Sequence, residues 1–333
     1  MNVPAVRPLV MPTVAEGVSR SAQNSRPVTL SGPVTLSGEV SLLVRPRIAV
    51  MVLATVAAAA WLTGGASAWV ASLGWVLLGV LSVAASSSIA NQILERDTDR
   101  LMDRTSRRPI ASGRLAVGPA AWAAGVLLFV GLAVTVVAGG WWASAAALAT
   151  WLLYVAVYTP LKRITPLNTT IGAVAGGLPV GIGWLAADGP ARLAAGDAHG
   201  ALAAAALFTV LYLWQFPHFM AIAWIYRRQY ADAGLAMLTV VDPSGLRAAG
   251  QSLAASLALI PAALVLAVPS GSTRLFLAAA ATAIAYACAT LHFAVRRDEA
   301  SARLLLFTSL GVLLGLLVAA VALPFPPRSW PLS

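Results

Sequence analysis

Apolar residues run in long blocks along the chain, and polar residues gather in short clusters between them. A helix needs roughly 20 apolar residues to cross a hydrocarbon core of about 30 Å. Blocks of that order, or nearly so, fall near 48–63, 69–90, 119–138, 143–161, 168–187, 200–225, 248–268, 275–295 and 304–323. The first is short, and its helix is expected to begin at Pro46. The pattern predicts an all-α integral membrane protein of about nine transmembrane helices.

The basic residues test that count. With the N-terminus on the cytoplasmic side, 19 of the 22 lysines and arginines face inward, and only Arg192, Arg274 and Arg328 lie outside. Such an imbalance is the positive-inside rule, and a wrong number of spans would scramble it. Composition agrees: 59% of residues are hydrophobic and 10% charged, against about 25% charged in ordinary soluble domains. The formal charge of +10 is therefore explained by topology and by anionic lipid at the inner surface. No aromatic–basic module accompanies it, which argues against nucleic acid. One cysteine, Cys288, excludes a disulfide or a thiolate metal site within one chain.

Residues 1–44 differ in kind. They are rich in Pro, Ser, Val and Thr and repeat PVTLSG at 27–32 and 33–38, with no apolar run of signal-peptide length. The expected organisation is a disordered cytoplasmic tail at 1–44, a transmembrane domain at 45–325 and a short external tail at 326–333.

Only 12 residues are acidic, and four of them crowd between Glu95 and Asp103. If the second helix continues inward, Asn91, Glu95, Asp99 and Asp103 recur every four residues. Each such step turns the helix by about 40°, so the set keeps to one face, whereas Asp97 points elsewhere. Stacked carboxylates repel, and two kinds of partner would offset the cost. Arg96, Arg100 and Arg104 form a parallel four-step row that could pair with them. A hard divalent cation is the other: Mg²⁺ takes oxygen ligands, and binds through one or two carboxylates plus substrate phosphates. Asn91 at the membrane end of the stripe favours a ligand, because an amide there is costly without a partner.

The run N-x-x-x-E-R-D-x-D-x-x-M-x-R-T-x-x-R-P from Asn91 to Pro109 resembles the first aspartate-rich motif of the UbiA superfamily of intramembrane prenyltransferases. Further segments agree in order: Arg45-Pro46-Arg47 before the first span, YTPLKRITPLNTTIGAVAGGLPVGIGW from Tyr158, LWQFPHFMAIAW from Leu213 and YRRQYADAGLAMLTVV from Tyr226. Together they are similar to the branch that farnesylates haem. The resemblance implies a helical bundle around a central cavity, in a bacterial inner membrane, with its active face cytoplasmic. It implies farnesyl diphosphate and haem B as substrates, Mg²⁺ as cofactor, and haem A synthase or a terminal oxidase as candidate assembly partners.

Carried over residue by residue, the resemblance places Asn91, Glu95 and Asp99 at the metal–diphosphate site, with Asp103 as an extension of the stripe. Arg96, Arg100, Arg104, Lys162 and Arg163 become candidate phosphate clamps, since guanidinium and ammonium groups bind phosphate oxygens well. The second loop departs from the family pattern: Gln229 stands before Tyr230 where an aspartate is usual, and Asp232 lies two residues beyond. Either oxygen can serve a second metal. Tyr158, Tyr212, Trp214 and Phe216 are candidate walls for an allylic cation through cation–π attraction, against a plain packing role. His218, beside Pro217 and Gln215, is a candidate contact for the haem, and His292 is read as structural. Glycines 172, 176, 177, 181 and 183 suit close helix packing.

Three other readings compete. A transporter would carry inverted repeats and a site at the midplane, but the acidic cluster sits at one end and no repeated half is evident. A prenyltransferase with another aromatic or tetrapyrrole acceptor is nearer. A non-catalytic assembly factor would tolerate loss of the ladder carboxylates.

Overall fold

The computed structural model describes residues 36–64 and 70–323. The chain divides into two units, residues 1–38 and 39–333. Of the first unit only 36–38, the opening of helix α1 (Leu36–Val44), are described, so the first PVTLSG repeat and the first half of the second lie outside the described residues. The described remainder is helical throughout, with no strand. Its elements are α2 (Pro46–Gly64), α3 (Val70–Arg100), α4 (Val117–Leu152), α5 (Asn168–Gly177), α6 (Pro179–Ala186), α7 (Gly189–Ala194), α8 (His199–Ile225), α9 (Arg227–Asp232), α10 (Leu238–Val241), α11 (Leu246–Ala267), α12 (Thr273–Arg296) and α13 (Glu299–Ala322).

Eight helical segments among the described residues are long and apolar enough to cross a membrane. One of them, Val117–Leu161, has 45 residues, about 67 Å of helix and twice what a bilayer core needs. It reverses at Gly140, whose φ of 83° falls in the region that favours glycine. The Ser144 hydroxyl donates to the Leu132 carbonyl at 3.0 Å across that reversal, whereas residues 12 apart in an unbroken helix lie about 18 Å apart. Two limbs of spanning length result, which brings the described segments to nine. Their outer face carries Trp122, Phe129, Val137, Trp141 and Trp142, all largely exposed, as lipid contact requires.

Small residues set how closely the helices approach. A Cβ on Gly131 would lie 2.7 Å from the Gly79 carbonyl oxygen, and one on Gly79 would lie 2.8 Å from the Gly131 oxygen. Backbone atoms cannot step aside as side chains can, so α3 and α4 can take this spacing only with glycine at both places. Gly131→Ala is expected to cost about 1–3 kcal/mol through overpacking. Gly125→Ala on the same limb, where a Cβ meets open space, is expected to be neutral. Thermal unfolding in detergent compares the two, and equal midpoints would remove the packing argument.

Helix α3 positions the chemistry. Its 31 residues span about 46 Å, so its last ten or so residues project past a 30 Å core. There it meets α1, which the sequence assigned to the tail. The orphan carbonyls at the C-terminus of α1 are taken by α3 side chains: Ser88 Oγ donates to the Leu43 oxygen at 2.8 Å, and Gln92 Nε2 to the Leu42 and Leu43 oxygens at 3.1 and 2.9 Å. Arg45 then turns the chain into α2 with φ 55°. Glu39, on α1, also pairs with Arg114 beyond the end of α3. Residues 39–44 are thus held against α3 rather than free, a correction to the expected tail boundary.

Candidate active site

The site begins where α4 loses its regular winding. Pro160 has no N–H to give, and the preceding turn, Leu153–Tyr158, widens into a π-helix. Such turns are rare and often sit at functional positions. Here the Thr159 hydroxyl donates to the Tyr154 carbonyl at 2.9 Å, five residues back, and accepts from Asn91 Nδ2 at 3.1 Å. Because the single hydroxyl proton is already used, the Asn91 group facing Thr159 must be its NH₂. The Asn91 Oδ1 therefore points away, buried and without a partner among the described residues.

One turn on, Glu95 accepts from Lys162 Nζ at 2.7 Å. Another turn on, Asp99 is fully buried and accepts from the Arg108 guanidinium at 2.6 Å, and that guanidinium lies 3.8 Å from the second Glu95 oxygen. The chain reaches back because α3 stops at Arg100 and residues 101–116 wind into turns. Thr105 pins that return by donating to the Asp99 carbonyl at 3.0 Å. Lys162 sits 4.5 Å over the Tyr158 ring, and the ring in turn fills the space a side chain on Gly172 would need, its nearest atom 2.7 Å from where a Cβ would sit. Burial works against the Lys162 ammonium, but the Glu95 carboxylate beside it prevails and holds its pKa above the ordinary lysine range. Burial, and then the Arg45 guanidinium nearby, press Arg108 below the usual arginine range, with Asp99 resisting; at neutral pH it remains a cation.

Sequence and structure part company over the arginines. Arg96 and Arg100 do not pair with the stripe; they lie exposed beside Asp97, at 3.5 and 3.6 Å, and Arg100 also donates to the Ala111 carbonyl. Arg104 donates to the Tyr230 hydroxyl at 2.9 Å and covers the Tyr226 ring at 4.5 Å, which ties the first loop to the second. Arg163 is exposed, unlike its neighbour Lys162. The cation on Asp99 is Arg108, which the residue spacing did not single out. Its only sequence signal is the Arg-Pro step, Arg108-Pro109, at the point where the chain folds back.

The acidic stripe is also shorter than the spacing suggested. Asp103 lies three residues past the end of α3, exposed, so it does not continue the face formed by Asn91, Glu95 and Asp99. In the second loop Asp232 is exposed, whereas the Gln229 Oε1 is buried and unpaired among the described residues. Among the described residues no three His, Cys, Asp or Glu side chains converge on one point. The donor set is two carboxylates and an amide. Asn91 Oδ1 and Asp99 Oδ1 are both buried without a partner, and with Glu95 they supply the hard oxygens Mg²⁺ prefers when phosphate completes its shell. The residues fit that ion.

Further along, α8 carries the aromatic cluster. Tyr212 stacks on Phe208 and meets Phe216 edge to face, and Trp214 lies flat on His218 with centroids 4.6 Å apart. His292 is exposed on α12. Replacing Gly172 with valine would displace the Tyr158 ring and the Lys162 ammonium above it. Misplacing a positioning group by about 1 Å can cost about 100-fold in rate. Gly172→Val is therefore expected to lower turnover by at least tenfold while leaving the thermal midpoint above that of Gly131→Ala. Unchanged turnover would exclude Tyr158 and Lys162 from the site.

The sequence pattern of the UbiA prenyltransferase family matches residues 51–316. The chain belongs to the UbiA prenyltransferase family. Among relatives, a protoheme IX farnesyltransferase of Rhodopirellula baltica is 39% identical over 282 residues, 81% of this chain and 94% of that protein. A protoheme IX farnesyltransferase of Synechococcus sp. (strain JA-2-3B'a(2-13)) is 34% identical over 85% of this chain and 83% of its own length. Solved structures share the UbiA fold. A UbiA homologue from Aeropyrum pernix K1 aligns with a TM-score of 0.66 at 19% identity, over 81% of this chain and 97% of its own. A second homologue, from Archaeoglobus fulgidus and bound to DMAPP and Mg²⁺, aligns at 0.60 and 17% identity, over 86% and 100%.

Proposed function

We propose that this UbiA-family protein transfers a farnesyl group from farnesyl diphosphate to a vinyl group of haem B, with addition of water, giving haem O. The observation that carries the reading is the likeness to the Rhodopirellula farnesyltransferase across nearly that protein's whole length. With nine spans and the N-terminus inside, the carboxylates would lie at the cytoplasmic face, a reading supported by the 19-to-3 distribution of basic residues. An inner membrane is the proposed location, with a haem A synthase or terminal oxidase as assembly partner.

The reaction breaks the farnesyl C1–O bond and forms a C–C bond to the terminal vinyl carbon. Water then bonds to the adjacent carbon and loses a proton, and diphosphate departs. Cleaving the first bond needs stabilisation of negative charge on the leaving oxygens, which fixed cations supply best where water is excluded. Lys162 and Arg108 are partly buried cations at the stripe, and Arg104 stands between the two loops. Mg²⁺ held by Asn91, Glu95 and Asp99 would neutralise further charge on the diphosphate, and Gln229 offers the inward-facing oxygen of the second loop. The Tyr158 ring, beneath Lys162, presents a π-face that does not react with an allylic cation.

Haem extraction and mass analysis test this. Purified protein in membranes is given haem B, farnesyl diphosphate and Mg²⁺, with EDTA as control. The expected product is heavier than haem B by one farnesyl group plus one hydroxyl group and is absent with EDTA. Farnesylation of a different acceptor alone would overturn the haem assignment.

A further inference from the structure

His218 is held by three helices through groups whose hydrogens can be counted. The Ser309 hydroxyl on α13 lies 2.6 Å from the Leu306 carbonyl oxygen. Two oxygens that close must share a hydrogen, and the carbonyl has none, so Ser309 donates it. The same Ser309 Oγ lies 2.7 Å from His218 Nδ1. That second short contact also needs a hydrogen, and the hydroxyl has none left, so Nδ1 carries it. The Trp214 indole closes the frame: it stacks on the imidazole at 21° and donates its own N–H to the Ser309 carbonyl at 2.7 Å. Tyr286 from α12, fully buried, donates to the Trp214 carbonyl at 2.7 Å and props that residue in turn.

We infer that Ser309 is a positioning residue that fixes neutral His218 as its Nδ1–H tautomer and leaves the Nε2 lone pair free for the acceptor substrate. The imidazole then presents Nε2 as an acceptor of protons, not as a donor to a carboxylate. Nε2 has no hydrogen-bond partner among the described residues. Setting a ring by a hydrogen bond from its other nitrogen is the usual way a histidine's reactive face is chosen. The remaining step rests on the proposed function. When water bonds to the cationic carbon next to the porphyrin, one of its O–H bonds must break, and the Nε2 lone pair is in the form that takes the proton.

Two measurements decide it, one needing no activity. The chain has three histidines, so protein labelled with ¹⁵N-histidine, with His218→Asn for assignment, reports the tautomer of His218 by solid-state NMR. Expected is a protonated Nδ1 and a lone-pair Nε2 in the parent protein, and a mixture of tautomers in Ser309→Ala. A protonated Nε2 in the parent overturns the inference. In the haem assay, Ser309→Ala is expected to lower kcat by about 10–100-fold, the usual loss for a partner of a functional histidine, with the KM for farnesyl diphosphate unchanged. In a His218→Asn background the same change is expected to have no further effect, because its action passes through that ring. Equal losses in both backgrounds overturn the positioning role. No haem product from the parent overturns the proposed function instead, and the NMR result stands apart from it.

Discussion

Arg108→Ala is expected to lower turnover by about 10²–10³-fold, the size seen when one preorganised electrostatic contact to a developing charge is removed, and also to destabilise the fold. Asp99 is fully buried, and the Arg108 guanidinium 2.6 Å away is its one ion pair among the described residues. Removing one partner of a buried pair strands the other charge, which typically costs about 3–5 kcal/mol. Arg108→Lys is expected to recover part of the stability and little of the rate, since a compact ammonium replaces the planar set of donors that suits phosphate oxygens. Measured kcat and thermal midpoint separate the two effects. Parent-like turnover in Arg108→Ala would show that the residue only neutralises Asp99.

Asp99→Asn tests the stripe from the other side. The shape is nearly kept, but the charge that draws a divalent cation is gone. Turnover is expected to fall by about 10²–10³-fold, with part of the loss restored at high Mg²⁺. Asp103→Asn and Asp232→Asn, both exposed, are expected to stay within about twofold, the range of ordinary surface changes. A titration of activity against Mg²⁺ in the four proteins gives the result directly. If Asp103→Asn shifts the Mg²⁺ requirement as far as Asp99→Asn does, the geometric shortening of the stripe has no functional meaning.

Much of this architecture was legible in the sequence because lipid leaves few choices. A backbone in hydrocarbon must satisfy its own hydrogen bonds, so each long apolar block is a helix, and the boundaries read from hydropathy lie close to those observed. The same logic foresaw Asn91, Glu95 and Asp99 on one face, since four-residue spacing on a helix is geometry and nothing more. Asp103 failed because spacing says nothing about where a helix ends. The helix stops at Arg100, and the chain there turns back on itself.

The arginines show why the rest was not legible. Six fall between Arg96 and Arg114, and all satisfy the inside bias equally well. Which one reaches Asp99 depends on the path of residues 101–116, and the answer is Arg108. Likewise a lone His218 in a span announces a function but not which nitrogen is free. That is decided by Ser309, 91 residues away, and by the direction of a single hydroxyl proton. The apolar pattern determined the spans and four-residue spacing determined the stripe on α3, because both follow from local periodicity and the solvent. The class of chemistry came with the family resemblance of the motifs. Only the tertiary structure decided which cations meet the carboxylates, how Asn91 turns its amide and which face His218 presents. Those outcomes depend on contacts between residues far apart in the chain, each short enough that one hydrogen settles it.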